Sequence, residues 1–277
     1  MLNFADNNLS TTFLTEDDIR KTCPMAFLTE PSNPKVSERY VQATSIDVVR
    51  DMAKLGWYPV QAKQCRMKKN SSGIRSFHML SFQNPDFKIM KGDNVEAFPR
   101  IILTNSHDGF NSFKFMCGLY RLVCSNGLVV ADAEFANLSI RHINYTFEEL
   151  REVVKSSVSS ISERVNVIND MMGVELTNEQ REEFASKAMK IRKGLKEEDN
   201  YSLTKEEIMD ILSPVRKEDE GNSLWATFNV LQEKLIKGGY YLTKNDKTRK
   251  QRGITSIKKD IEVNSGLFML ATSYMTA

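Results

Sequence analysis

The spacing of the apolar residues changes once along this chain, close to Thr146, and no other feature constrains the fold as much. Ahead of that point the pattern alternates. In residues 113–124, Phe113, Phe115, Cys117, Leu119, Arg121 and Val123 fall on one side and Lys114, Met116, Gly118, Tyr120, Leu122 and Cys124 on the other, which is the two-residue period of a strand. Behind it, Leu150, Val153, Val154, Ser157, Val158, Ile161, Val165 and Ile168 recur at three and four, the period of a helix with one buried stripe. Strands followed by helices make an α+β protein. The expected architecture is an N-terminal antiparallel β-sheet with a packed helix, followed by a mainly helical C-terminal half.

The boundaries follow from caps and breakers. Residues 1–43 form a loosely structured arm punctuated by Pro24, Pro31 and Pro34, with a short helix begun by Thr15 and ending near Thr22. Residues 44–145 form the sheet region. Its helix spans 44–55, capped by Thr44 or Ser45 and stopped by Gly56. Strands are expected at about 58–68, 74–83, 98–104 and 112–124, with a polar insert between the second and third. Residues 146–277 form the helical region. Thr146, Thr177 and Thr204 each precede a Glu or Gln three residues on, the pattern of a capping box. A helix over 223–237 ends at Gly238-Gly239, the basic segment 244–259 reads as an exposed loop or a loop plus strand, and a last helix covers 260–275.

At 277 residues, 41% hydrophobic and 27% charged, the chain has the balance of a globular protein with a sizeable core. No stretch reaches the roughly 18 apolar residues of a membrane span. The first residues lack the basic-then-apolar order of a secretion signal, so the cytoplasm of a host cell is the expected location, with free thiols at Cys23, Cys65, Cys117 and Cys124. Neither those cysteines nor His78, His107 and His142 are spaced as a metal set, and no dinucleotide or Walker glycine pattern occurs. No metal and no cofactor are expected.

Two constellations carry chemistry. The first is the window 97–145. Asn105, Ser106, His107, Asp108 and Gly109 form a turn whose leading reading is a hairpin cap held by Asx hydrogen bonds. His107 with Asp108 also reads as an acid–base pair, and Cys124 with His142 and Asp108 as a nucleophilic set, so a hydrolase or nuclease using His107, Asp108, Cys124 and His142 is one expectation. Arg121, amid Leu119 and Val123, needs an anionic partner, either Asp108 or a phosphate. The second constellation is cationic. The formal net charge is only +2, but Lys63, Arg66, Lys68, Lys69 and Arg75 cluster in 61–77 without an acid, beside Trp57, Tyr58, Phe77 and Phe82. Lys244, Lys247, Arg249, Lys250, Arg252, Lys258 and Lys259 crowd 244–259 against one acid, Asp246. Cations interleaved with rings suit a single nucleic-acid strand, by phosphate neutralisation and base stacking. The bland alternative is a solvated surface with the rings in the core.

LTNSHDG at 103–109, YRLVCSNGL at 120–128, IRH at 140–142 and SLWATFNVLQEKL at 223–235 together resemble the phage/plasmid-like protein family, a domain of unknown function found in phages, plasmids and integrated elements. The resemblance implies a mobile-element setting near replication or recombination genes. It supplies no catalytic residues. Family members often carry Gln and Thr where this chain has Ser125 and Gly127. The leading expectation is therefore a nucleic-acid-binding protein that contacts single-stranded DNA through Trp57, Lys63, Arg66, Lys68, Lys69, Arg75, Arg121, Lys247, Arg249, Lys250 and Arg252. A non-enzymatic interaction protein that modulates host or phage machinery is the third expectation, and self-association stays open.

Overall fold

Thr15 starts the first described helix, α1 (Glu16–Thr22), with a capping box: its hydroxyl accepts from the Asp18 N–H, and the Asp18 carboxylate accepts from the Thr15 N–H at 3.0 Å. A computed structural model describes residues 12–30, 44–65, 77–91, 94–107, 113–121, 127–130, 139–140 and 146–275. Of Lys91, Asn94, Glu96, Leu119, Arg121, Gly127–Val130, Ser139 and Ser162 it describes the backbone alone. Helix α2 (Ser45–Lys54) follows, capped by Thr44. Then come β1 (Tyr58–Gln64), β2 (His78–Gln83), β3 (Ile89–Lys91), β4 (Asn94–Asn105), β5 (Phe113–Arg121), β6 (Gly127–Val130) and β7 (Ser139–Ile140). The rest is α3 (Phe147–Gly173), α4 (Asn178–Lys193), α5 (Lys205–Leu212), α6 (Leu224–Lys237), β8 (Gly238–Lys244), β9 (Lys247–Arg252) and α7 (Ile257–Ser273). The protein is α+β, as its periodicity implies. It divides into two compact units: residues 1–122 with 131–161, and residues 123–130 with 162–277.

In the first unit β1, β2, β4 and β5 pair antiparallel in that order, β3 adds to β4, and β7 adds to β5. The expected polar insert thus contains a strand: Ile89, 1% exposed, anchors β3 opposite Ala97. Because side chains alternate along a strand, the register fixes two faces. One carries Leu80, Phe82, Ile101, Leu103, Phe113, Phe115 and Cys117, all 2% exposed or less. Helices α2 and α3 meet this face: Ser45 bonds His78 and Asn105, and the Cys117 thiol lies 3.6 Å from the Ser157 carbonyl. The other face carries Gln83, Ser81, Arg100, Thr104, Gly118 and Tyr120.

In the second unit α6 is buried on nearly every side, from Leu224 to Ile236, which makes it the central helix. Trp225 stacks on Phe228 at 5.6 Å and Phe228 meets Phe268 of α7 edge-on at 6.2 Å. Phe184, Ala188 and Met189 of α4 and Val263, Leu267 and Ala271 of α7 complete the core. Helix α6 ends at Gly238, where φ is +77°. A Cβ there would lie 2.6 Å from the backbone of Gln251 and Arg252, so only glycine fits both the conformation and the approach. The chain then turns straight into β8 and β9, an antiparallel hairpin. The basic segment, expected as a loop or a loop plus strand, is in large part this second strand.

Candidate functional site

The hairpin owes its turn to Asn245 and Asp246, with φ of +50° and +56°. Positive φ at both central residues belongs to the tight turn that matches strand twist, and Asn and Asp tolerate it better than other residues with a Cβ. Pairing of Leu242 with Arg249 and of Lys244 with Lys247 sets one face, and pairing of Tyr241 with Lys250 and of Thr243 with Thr248 the other. On the second face the two threonine hydroxyls bond at 2.9 Å. Buried Tyr240 and Leu242 root the first face in the core. Helix α5 secures the outer edge of β8: the Tyr241 N–H donates to Asp210 and the Thr243 N–H to Glu207, each at 2.7 Å. Arg192 ties the base, donating to the carbonyls of Leu235 at 2.8 Å and Arg252 at 3.2 Å. The hairpin is therefore held as a fixed element, with strand β9 outermost.

Along its first face runs a groove of about 800 Å³ lined by Lys193, Tyr201, Leu242, Thr243, Lys244, Asn245, Lys247, Arg249 and Gln251. Lys193, the last residue of α4, sits 4.9 Å from the centre of the Tyr201 ring. Burial, with Glu207 and Tyr240 adding, pushes the Tyr201 hydroxyl up to about 12, so it stays neutral and donates hydrogen bonds throughout the physiological range. Lys244, Lys247, Arg249, Lys250 and Arg252 are exposed. Neither they nor Lys193 has an ion-pair partner among the described residues. By contrast Glu233, 7% exposed, takes a two-pronged bond from Arg216 and a third contact from Lys237 at 3.1 Å. Burial pushes the Glu233 carboxyl up, but the two cations outweigh it and hold it below the usual carboxylate range.

A different kind of polar cluster lies in the first unit. Ser45, His78, Asn105, Ser106 and His107 are all 0% exposed. The Ser106 N–H donates to Asn105 Oδ1 at 2.7 Å, which orients the amide so that Asn105 Nδ2 donates to Ser45 Oγ at 2.9 Å. Ser45 Oγ in turn lies 2.7 Å from His78 Nε2. The Ser45 hydroxyl thus joins Asn105 to His78. The rings of His78 and His107 are 5.2 Å apart. The cluster ties the start of α2 to β2 and to the end of β4, and His107 has no solvent-facing surface. Asp108, Cys124 and His142 lie outside the described residues, so the proposed hydrolytic set is represented only by His107. Among the described residues no three His, Cys, Asp or Glu side chains gather as a metal set.

The first cationic segment fares differently from the second. Lys63 is exposed on β1, and Arg121 ends β5 with its backbone opposite Ala97. Arg66, Lys68, Lys69 and Arg75 lie outside the described residues. Trp57 leaves the interface: it is 1% exposed and stacks on Phe87 at 5.8 Å, so a base could reach it only by displacing the core. Its place as a ring beside cations falls to Tyr201, which sequence reading passed over together with Lys193. Both lie some way ahead of the hairpin in the chain, and no local pattern connects them to it.

No described helix is long and apolar enough to cross a membrane. No solved structure matches the chain. Two Escherichia coli (strain K12) proteins, UPF0380 protein YfjQ and UPF0380 protein YafZ, are each 31% identical to it over 266 residues, covering 95% of this chain and 92% of theirs. The family model described as a domain of unknown function, DUF932, matches residues 34–259, a span that takes in the sheet, the central helix and the whole hairpin. The chain belongs to that DUF932 family.

Proposed function

We propose that this protein binds nucleic acid through the β8–β9 hairpin, and that its ligand is a single strand. One observation carries the reading: Lys193, Lys244, Lys247 and Arg249 line one groove beside an aromatic ring, with no ion-pair partners among the described residues. Uncompensated cations in a row neutralise a phosphate backbone, and a ring among them gives an unpaired base a surface to stack on. A duplex offers no such base. Lys250 and Arg252, on the opposite face of β9, extend the positive surface. The mobile-element setting implied by the sequence resemblance supports single-stranded DNA in replication or recombination as the ligand, met in the host cytoplasm.

Fluorescence anisotropy with labelled oligo-dT and with a duplex of equal length tests this at low and moderate salt. Four phosphate contacts give a slope of about −3 in log affinity against log salt. Lys247→Glu with Arg249→Glu weakens oligo-dT binding at least tenfold and flattens that slope. Absence of binding at low salt, or an unchanged affinity in the double variant, sinks the reading.

A further inference from the structure

Arg100 stands at the middle of β4, directly between Gln83 of β2 and Gly118 of β5. It is 6% exposed. Its guanidinium carbon lies over the Tyr120 ring, 3.8 Å from the ring centre, and its Nε donates to Gln83 Oε1 over a long 3.3 Å. A guanidinium carries five N–H donors and keeps its charge when buried. No carboxylate among the described residues pairs with this one, and burial pulls the group down to about 10. Arg216, half-buried in the other unit, shows the contrasting arrangement, since Glu233 pairs with it.

The surroundings of Arg100 mix polar groups with the buried apolar side chains Phe98, Ile102 and Met116 of the same face. Gly118 has no side chain to fill the strand position beside Arg100. On the same face lie the hydroxyls of Ser81 and Thr104, both buried, and that of Tyr120, one strand position beyond Gly118. Lys114 of β5 and Lys63 of β1 are exposed farther along it. The donors that are present are hydroxyl and cationic, which suits a phosphate group better than a carboxylate, since phosphate offers more acceptor oxygens and more charge. Contact with Tyr120 and the bond to Gln83 hold the guanidinium in place in advance, so less of it need be ordered when the anion arrives.

We propose that Arg100 is the anchor of a second anion site, on the sheet face opposite α2, that takes a phosphate group with Arg100 as its main ligand. The group is either that of a free nucleotide or a phosphodiester of a strand. The site is separate from the hairpin and does not depend on how the hairpin is used.

Thermal unfolding of the full chain is measured in inorganic phosphate, in thymidine monophosphate and in oligo-dT, each against chloride at equal ionic strength. A ligand that completes a buried charge binds only the folded state, so the midpoint rises by about 4 °C at saturating phosphate. The response survives in the Lys247→Glu, Arg249→Glu variant and vanishes in Arg100→Gln. Since Arg100→Gln can disturb folding, Gln83→Glu gives an independent arm. It places a carboxylate next to Arg100 on the neighbouring strand, so the unliganded protein becomes more stable and its phosphate response is lost. A response to phosphate and to the monophosphate identifies a free ligand. A response confined to oligo-dT that survives in the hairpin variant identifies a phosphodiester. No response in the natural sequence, a response retained in Gln83→Glu, or a response lost with the hairpin charges overturns the proposal.

Discussion

Two polar regions of this protein are built on opposite principles. In the first, Ser45, His78 and Asn105 are fully buried and hydrogen-bonded to one another, with the His107 ring beside that of His78. On the β8–β9 hairpin the groups are permanently charged, exposed, and without counter-ions among the described residues. The first arrangement spends its hydrogen-bonding capacity inside the fold, because a buried polar group without a partner is costly. The second keeps its capacity for something outside. Chemically versatile residue types are densest in the first region, yet the second is where a ligand can be met. What distinguishes them is whether the charge or donor is already satisfied.

The largest expected effect tests compensation inside the helical unit. Glu233→Ala leaves half-buried Arg216 with only the more distant Asp219 carboxylate, 3.8 Å away, and should cost about 3 kcal/mol in urea unfolding. A cost near zero would mean that this pair is not the compensated charge the contrast requires. The same carboxylate gives a pH signature. Its value is held below the usual carboxylate range in the folded chain, so its contribution is complete above the unfolded carboxyl value and is lost as pH falls through the depressed one. Stability of the natural sequence should therefore decline on acidification, and Glu233→Gln should flatten that limb.

Next comes the sealed cluster. Asn105→Ala strands the Ser106 N–H and takes a donor from Ser45, at roughly 2–3 kcal/mol, while oligo-dT affinity stays unchanged. A loss of binding with intact folding would break the contrast, since it would put the cluster at a working surface. The groove substitutions Lys247→Glu and Arg249→Glu should do the reverse. Affinity falls by about 1.4–2 kcal/mol, 10- to 30-fold, with the unfolding midpoint little moved because both side chains are solvated. Smallest is Lys250→Ala on the opposite hairpin face. Stability should move by less than about 0.5 kcal/mol, and the salt slope by no more than about one phosphate contact. An effect as large as that of the groove pair would shift the interface to the Tyr241 face.

Much of the fold was readable in advance. Helices expected over 44–55, 177–194 and 204–213 appear as α2, α4 and α5, because Thr44, Thr177 and Thr204 supply hydroxyls that the first free N–H groups of those helices need. The hairpin was half legible. Its Asn245-Asp246 turn lacks the glycine that usually marks a two-residue loop, and β9 has no apolar residue to betray its alternation, so the segment read as a loop or a loop plus strand, without its pairing. Trp57 was misplaced for the converse reason. A ring beside a cationic run reads as a stacking platform, but the ring follows the turn at Gly56 into the core and packs on Phe87.

Local order in the chain, then, decided the element types, their caps and the α+β class, since each depends on residues within a few positions of one another. Which cations share a groove, which ring joins them, and which arginine at the centre of a sheet has no carboxylate among the described residues were settled only by tertiary structure. Lys193 and Tyr201 meet the hairpin, and Arg100 meets Gln83 and Tyr120, through strand register and helix packing. Those placements depend on burial and on pairing between distant segments, and no short stretch of sequence encodes either one.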